Sequence, residues 1–309
     1  MKTLRIHSFG GPSVIKLDDL PTPELGEEEL LVRVMAASVN PVDYKICEGK
    51  YPAVKSNMLP FVAGRDIAGI VEACGGLVDD WKPGDELYAM LGIDRGGYSE
   101  FTLVNAEEAA HKPRSLDFVA AASVPLAGLT AWQGLFRHGE LQSGQSVLIH
   151  GGAGGVGHFA IQFAKVRGAR VITTVSEQHV DFARSLGADE VIDYKKQRFE
   201  DVVRDVDLVF DLIGGETQER SWTVLRPGGA LVSTLTEPSQ ERAKARGVRA
   251  MRYTVRENGA ELDEIGQLID AGKVKPKITR TFQMNEAANA LQFVEEGHTE
   301  GKVVVKIAA

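Results

Sequence analysis

The stretch HGGAGGVGHFAIQFAK, residues 150–165, carries the pattern that decides the fold. Gly152, Gly154 and Gly157 fit the spacing G-x-G-x-x-G, and the short apolar run SVLIH leads into them. In a strand-to-helix turn, the first glycine permits the turn, the second admits a pyrophosphate close to the backbone, and the third lets the helix pack on its strand. The amides at the helix N-terminus then face the anion. The alternative is a flexible glycine turn without a ligand.

The flanking sequence favours a dinucleotide-binding unit. Phe159, Ile161 and Phe163 give the helix an apolar face, Gly168 is placed to end it, and ARVITTVS at 169–176 is typical of a second strand. The same alternation continues in HVDFARSLGADEVIDY (179–194), DLVFDLIGG (207–215) and PGGALVSTL (227–235). Strands and helices that alternate with short glycine turns predict an α/β fold with a doubly wound parallel sheet.

Composition restricts the function class. The chain has 309 residues, a formal charge of −8 and 43% hydrophobic residues, which suits two globular domains. The acidic balance argues against a nucleic-acid or anionic membrane surface, because those need basic patches. The segment 241–256 is rich in arginine and lysine, but within it Met251, Tyr253 and Val255 alternate with polar residues, as in a half-buried strand with a solvated face. Without an apolar leader or a membrane-length apolar run, the expectation is a cytoplasmic protein that binds neither nucleic acid nor membrane.

The N-terminal part differs in kind from the glycine-loop region. Short strands separated by turns, at 27–40, 69–74, 85–90 and 98–105, predict a compact β-rich domain. The segment 300–309 is one more predicted strand, which we expect to return to this domain. The predicted division is a substrate domain at 1–122, a Rossmann dinucleotide-binding domain at 123–256, and a C-terminal return to the substrate domain at 257–309.

The chain resembles the zinc-independent quinone oxidoreductase branch (ζ-crystallin-like) of the medium-chain dehydrogenase/reductase superfamily. Matching stretches run in order along nearly the full length: ASVNPVDYKICEGKYP (37–52), AGRDIAGIVEACG (63–75), WKPGDELYA (81–89), GGYSEFTLV (96–104), AASVPLAGLTAWQGL (121–135), the glycine loop, and GHTEGKVVVKI (297–307). The resemblance implies a GroES-like β-rich domain built from both chain ends, a Rossmann domain inserted in it, a cofactor cleft between them, and a homodimer.

Zinc-dependent relatives carry metal-binding Cys, His and Cys at three positions where this chain has Asn40, Arg65 and Leu126. Asparagine, arginine and leucine cannot rebuild a site of thiolate and imidazole ligands. The two cysteines, Cys47 and Cys74, have no zinc-site spacing. We therefore expect no metal site, and reduction of an electrophilic acceptor rather than alcohol oxidation, which needs a Lewis acid.

The resemblance also implies catalytic residues. Asn40, Asp43, Tyr51 and Arg65 would line or support the site near the nicotinamide, with Tyr51 or Asn40 donating to the acceptor oxygen as an oxyanion-hole donor does. Structural roles remain as alternatives. Tyr51 would then be a turn-packing aromatic, Asn40 would end a strand before Pro41, and Arg65 would form an ion pair with Asp66.

Cofactor contacts follow from the motif and the resemblance. Ser176 and Tyr194 resemble the residues that NADPH-using members place beside the 2′-phosphate, although Glu177 would repel a phosphate if it pointed inward. NADPH is therefore expected, with NADH as the alternative. The full set of expected cofactor contacts is Thr130, Gly152, Ala153, Gly154, Gly155, Val156, Gly157, Ser176, Tyr194, Ile213, Gly214, Ser233, Leu235 and Lys302.

The expected function is a zinc-independent, NADPH-dependent oxidoreductase that transfers hydride to a quinone or a similar electrophilic carbonyl acceptor. Two alternatives stay open. One is an NADPH-dependent reductase of enones or enoyl thioesters, and the other is a protein that binds NADPH without turnover. The fold alone does not separate these alternatives.

Overall fold

The computed structural model describes residues 1–297 and 299–308. It divides the chain into two compact units. The first unit comprises Met1–Leu126, Glu257–Gly272 and Pro276–Ala309, and the second comprises Ala127–Arg256 and Lys273–Lys275. No helix among the described residues is long and apolar enough to cross a membrane.

The strands are β1 (Lys2–Ile6), β2 (Ile15–Asp19), β3 (Glu29–Val39), β4 (Phe61–Val62), β5 (Asp66–Cys74), β6 (Glu86–Met90), β7 (Phe101–Asn105), β8 (Ala109–His111), β9 (Ser146–His150), β10 (Arg170–Val175), β11 (Glu190–Asp193), β12 (Val206–Asp211), β13 (Leu225–Ser233), β14 (Arg249–Arg252), β15 (Ile278–Gln283) and β16 (Lys302–Lys306). The helices are α1 (Pro41–Cys47), α2 (Phe118–Ala122), α3 (Pro125–Trp132), α4 (Gly157–Val166), α5 (Val180–Ser185), α6 (Phe199–Val202), α7 (Gly215–Ser221), α8 (Gln240–Arg246), α9 (Gly259–Asp270) and α10 (Ala287–Glu295).

The second unit is built on a parallel sheet with the order β11-β10-β9-β12-β13-β14. Numbered within the unit, this is the order 3-2-1-4-5-6 of a Rossmann fold. The central strands β9 and β12 are largely apolar and buried, as expected where helices cover both faces of such a sheet. β9 is buried from Val147 to His150, and α4 buries eight successive residues from Gly157 to Ala164. The predicted doubly wound sheet is confirmed.

The first unit contains a sheet with the order β15-β16-β3-β5-β6-β8, and β7 also pairs with β3. Its central strands pair antiparallel, as expected for a β-rich GroES-like domain. β16 pairs with the carboxyl half of β3, with Val303 opposite Val39. The C-terminal strand thus joins strands from the start of the chain, and its last predicted residue, Ala309, lies outside the described residues.

One predicted element is shorter than its pattern. The alternation of Met251, Tyr253 and Val255 predicts a strand across all three residues, but β14 ends at Arg252. The reason is the neighbouring strand, because β13 ends at Ser233, which lies opposite Arg252. Beyond the end of β14, the Tyr253 amide still donates to the Ser233 carbonyl, at 3.1 Å.

Candidate active site

The three motif glycines of the loop between β9 and α4 differ in how closely they are packed: protein atoms crowd Gly152 and Gly157 but leave Gly154 open. A Cβ on Gly152 would lie 2.1 Å from Thr173 Oγ1, and a Cβ on Gly157 would lie 2.2 Å from the Gly151 carbonyl oxygen. Neither position accepts a side chain. A Cβ on Gly154 would meet only the Gly151 oxygen, at 3.5 Å. The space outside Gly154 is therefore available to a ligand.

This loop fits the pyrophosphate of a dinucleotide. Ala153 is buried, whereas Gly154, Gly155 and Val156 are partly exposed at the carboxyl end of β9. α4 begins at Gly157. The amides of His158 and Ala160 already donate to the carbonyls of Gly154 and Val156, each at 3.0 Å, so an anion would meet the exposed loop backbone that precedes them. The strand order reverses between β9 and β12, which is where open parallel sheets bind their ligands.

Ser176 and Tyr194 lie side by side at the ends of two paired strands. Val175 is opposite Asp193 in the pairing of β10 with β11, and the Tyr194 amide donates to the Val175 carbonyl at 3.1 Å. Ser176 is nearly buried, while Tyr194 is 56% exposed. The two residues assigned to a 2′-phosphate are thus brought together by the sheet.

Glu177, which would oppose a phosphate, is paired with a cation that the sequence analysis did not single out. Its carboxylate accepts a hydrogen bond from the Lys196 ammonium, and this contact raises the pKa of Lys196. Both side chains are exposed. The negative charge beside Ser176 is therefore compensated within the second unit.

Asp211 at the end of β12 organises two loops that carry predicted cofactor contacts. Its Oδ1 accepts from the amides of Ile213 at 3.0 Å and Gly214 at 2.8 Å. Its Oδ2 accepts from the Ser233 hydroxyl at 3.0 Å, and Ser233 Oγ in turn accepts from the Leu235 amide at 3.2 Å. Sequence reasoning missed Asp211; the signal was an aspartate that ends an apolar strand and precedes two glycines.

The same network presents apolar surface. Ile213 is 53% exposed and Leu235 is 45% exposed, although both follow buried strands. Large apolar side chains held in the open at the carboxyl ends of parallel strands suit the flat ring of a cofactor. Thr130, on α3, is buried instead, and its carbonyl accepts a hydrogen bond from the Tyr253 hydroxyl.

In the first unit, Asn40 belongs to a buried polar network with Asp66 and Lys302. Asn40 Nδ2 donates to Asp66 Oδ2 at 2.8 Å, and Asn40 Oδ1 accepts from the Lys302 ammonium. Asp66 also accepts from the Ser38 hydroxyl at 2.6 Å and the Leu126 amide at 2.6 Å. Burial lowers the pKa of Lys302, against the pull of Asp66. Lys302, a predicted cofactor contact, is thus placed beside a predicted catalytic residue.

Asp43 lies next to this network and is fully buried. Its Oδ2 accepts from the Asn40 amide at 2.8 Å and the Tyr98 hydroxyl at 3.1 Å, and its Oδ1 accepts from the Gly64 amide at 3.2 Å. Asn40 at the N-cap, Pro41 at the first helical position and the Asp43 carboxylate in the first turn together cap α1. Desolvation raises the pKa of Asp43 to about 6, and the hydrogen bonds offset only part of that rise.

Arg65 and Tyr51 have different surroundings. Arg65 donates to the Leu91 carbonyl and to Glu257 Oε1, each at 2.5 Å. The alternative of an Arg65–Asp66 ion pair is therefore wrong: the neighbours point into separate networks. Tyr51 is partly buried against the core of the first unit, and its hydroxyl has no hydrogen bond within residues 1–297 and 299–308.

Sequence families match both parts of the chain. Residues 26–114 match the family described as an alcohol dehydrogenase GroES-like domain. Residues 186–305 match the family described as a zinc-binding dehydrogenase. The first match lies within the first unit, and the second spans β11 to β14 of the parallel sheet together with most of the C-terminal segments of the first unit.

Comparison with individual relatives indicates which branch of this family the chain resembles. The NADPH-dependent alkenal/one oxidoreductase of Arabidopsis thaliana chloroplasts is 39% identical over 99% of this chain and 79% of its own length. The quinone oxidoreductase structure from Coxiella burnetii has 39% identity, covers 100% of this chain and 99% of its own, and has a TM-score of 0.94. The Escherichia coli quinone oxidoreductase complexed with NADPH has 28% identity, 99% and 100% coverage, and a TM-score of 0.89.

Together with the Rossmann strand order and the glycine loop, these likenesses confirm the predicted family. The chain belongs to the quinone oxidoreductase branch of the medium-chain dehydrogenase/reductase superfamily.

Proposed function

We propose that this protein is an NADPH-dependent oxidoreductase that transfers hydride to quinones or to conjugated enones. The observation that carries the proposal is the open backbone of Gly154 at the reversal point of a Rossmann sheet. Relatives named for quinone and for alkenal/one reduction, and a solved relative that contains NADPH, support it. Bound there, NADPH would supply the hydride.

NADPH is proposed over NADH because of the residues at the ends of β10 and β11. Ser176 and Tyr194 lie on adjacent strand ends, and Glu177 is neutralised by Lys196. Lys195, exposed next to Tyr194, adds positive charge. This set accommodates a 2′-phosphate, whereas an NAD site has a carboxylate for the ribose hydroxyls.

On the acceptor side, a hydrogen-bond donor has to stabilise the oxygen that becomes negative. Asn40 and Tyr51 are the proposed donors, because each keeps an N–H or O–H without a protein acceptor in the described part of the chain. Arg65 and Asp43 hold the surrounding backbone, through Leu91 and through Asn40 and Gly64. Their role is to position the loops that carry the donors.

The reaction is proposed to need no zinc. Asn40, Arg65 and Leu126 offer no thiolate or imidazole, and Asn40 is already engaged by Asp66 and the Lys302 ammonium. A fixed cation at this point repels a second one, so the residues present do not fit a zinc ion. We also propose a homodimer in the cytoplasm, which size-exclusion chromatography and cell fractionation would test.

The direct test is to follow oxidation of NADPH and NADH, side by side, by the purified protein. The acceptors are a benzoquinone, a larger quinone and an α,β-unsaturated ketone, with and without a chelator and against a blank without protein. Chelator-insensitive turnover that prefers NADPH supports the proposal, and the preferred acceptor separates quinone from enone reduction. NADPH binding without turnover above the blank would favour a non-catalytic binder.

A further inference from the structure

Lys302 is a buried lysine whose hydrogen-bonding capacity is fully used inside the first unit. It is 3% exposed, at the start of β16. Its ammonium donates to the Val39 carbonyl at 3.4 Å, to Asn40 Oδ1, and to Asp66 Oδ2 at 3.5 Å. An ammonium has three N–H donors, so none is left for solvent or for a ligand.

The backbone register brings these side chains together. Val303 lies opposite Val39 in the pairing of β16 with β3, and Ser38 lies opposite Asp66 in the pairing of β3 with β5. Lys302, Asn40 and Asp66 therefore sit at the ends of three adjacent strands. Neighbours across a sheet are within reach of one another's side chains, and their spacing is set by the ladder.

Lys302 and Asp66 together determine which way the Asn40 amide faces. The amide oxygen accepts from the ammonium, and Nδ2 donates to the carboxylate at 2.8 Å. A flipped amide would turn its NH₂ group to the ammonium and its oxygen to the carboxylate, and both contacts would be repulsive. One Asn40 N–H remains, and it has no acceptor within residues 1–297 and 299–308.

We propose that Lys302 is a positioning residue for hydride transfer, which with Asp66 fixes and polarises the Asn40 amide so that its free N–H donates to the acceptor oxygen. This role rests on the proposed function. The positive charge at the amide oxygen draws electron density from the N–H and strengthens it as a donor. In this proposal Lys302 acts through Asn40 and does not make the contact with the cofactor that was expected from the sequence.

The test compares charge-balanced variants with a control on the same strand. Lys302→Met alone leaves the Asp66 carboxylate buried without its cation, which destabilises folded proteins strongly. The informative variant is therefore Lys302→Met/Asp66→Asn, which removes both charges. Lys302→Gln also removes the cation, but its side-chain amide can still donate to Asn40, so it serves as the second variant once its melting temperature shows that it is folded. Lys306→Met removes an exposed lysine from the same strand.

The expected result is a split between turnover and cofactor binding. In the double variant, kcat falls about 100-fold, the scale of a lost oxyanion donor, while the Kd for NADPH stays unchanged. Lys302→Gln recovers part of kcat, and Lys306→Met keeps all of it. Asn40→Ala lowers kcat by a similar factor, and adding it to the double variant causes no further loss, because both changes remove the same donor.

Three outcomes would overturn the positioning role. Wild-type kcat in a folded Lys302→Gln or double variant would do so, as would full additivity with Asn40→Ala. A higher Kd for NADPH at unchanged kcat would show instead that Lys302 contributes to cofactor binding. Failure of the proposed function looks different, because the unaltered protein and Lys306→Met would then reduce no acceptor at all.

Discussion

Gly154 has no side chain, so its backbone directly borders the space proposed for the pyrophosphate. Gly154→Asp would place a negative charge there without disturbing protein packing, since a Cβ meets only one atom, at 3.5 Å. Two charges about 4 Å apart repel by about 4 kcal/mol at an effective dielectric of about 20, roughly a thousandfold in Kd. We expect NADPH binding, measured by fluorescence titration, to be lost while the melting temperature is retained.

The matched control is Gly76→Asp, which adds the same charge at an exposed glycine whose Cβ would meet nothing within 4 Å. It should leave NADPH affinity unchanged. Normal affinity in Gly154→Asp would contradict the assignment of this loop to the pyrophosphate.

We expect Ser176 to determine the preference for NADPH over NADH. Ser176→Asp would repel a 2′-phosphate and accept hydrogen bonds from free ribose hydroxyls, so the ratio of kcat/KM for NADPH over NADH should fall by roughly 10-fold or more. Ser143 is exposed ahead of β9, the strand that pairs in parallel with β10, so Ser143→Asp makes the same charge change at the opposite end of the sheet. If the ratio moves equally in both variants, or in neither, Ser176 does not discriminate the cofactors.

At the scale of the strand–helix element, the other loop glycines behave differently from Gly154. Gly157→Ala forces a Cβ to within 2.2 Å of the Gly151 oxygen and 2.7 Å of the Gly152 Cα, both backbone atoms. Such overpacking typically costs about 1–3 kcal/mol, so the second unit should unfold at lower denaturant. Gly154→Ala should leave the unfolding midpoint unchanged. Equal destabilisation by the two alanines would show that the loop has no open side at Gly154.

At the scale of the whole molecule, two buried groups make the units respond oppositely to pH. Desolvation raises the pKa of Asp43, in the first unit, from 3.8 to about 6, so its stabilising contribution is present below pH 3.8 and is lost as pH rises through 6. Burial lowers the pKa of His150, in the second unit, from 6.5 to about 4, so stability falls as pH drops from 6.5 towards 4. Each contribution amounts to about 3 kcal/mol.

The hydrogen bonds of His150 explain why it stays neutral. Ser221 donates to the Thr217 carbonyl at 2.7 Å, so its oxygen accepts from His150 Nε2 at 2.9 Å. Nδ1 is then the acceptor for the Thr174 hydroxyl at 3.0 Å. Between pH 7 and pH 5, amide protection measured by hydrogen exchange should fall in β9 and rise in β3. His150→Gln should flatten the response of β9 alone, and parallel changes in both strands would contradict this account.

The glycine spacing and the alternation of strands and helices were sufficient to predict the Rossmann sheet and its loop. Both signals are local, because the turn residues and the apolar periodicity of a βαβ unit lie within one continuous stretch of sequence. The positions of Ser176 and Tyr194 at strand ends were predictable for the same reason, whereas their contact with a 2′-phosphate was inferred from the resemblance and stays a prediction.

Only the tertiary structure decided the partners of the buried polar groups. Lys302 is separated from Asn40 by 262 positions, and Arg65 binds Glu257, 192 positions away, instead of its neighbour Asp66. The sequence marks Asp211 only as an aspartate at the end of an apolar strand and His150 only as a strand residue, and it does not show which groups either of them bonds. A buried charge or amide takes the partner that the sheet register brings within hydrogen-bonding distance, and that register depends on strands that are far apart in the chain.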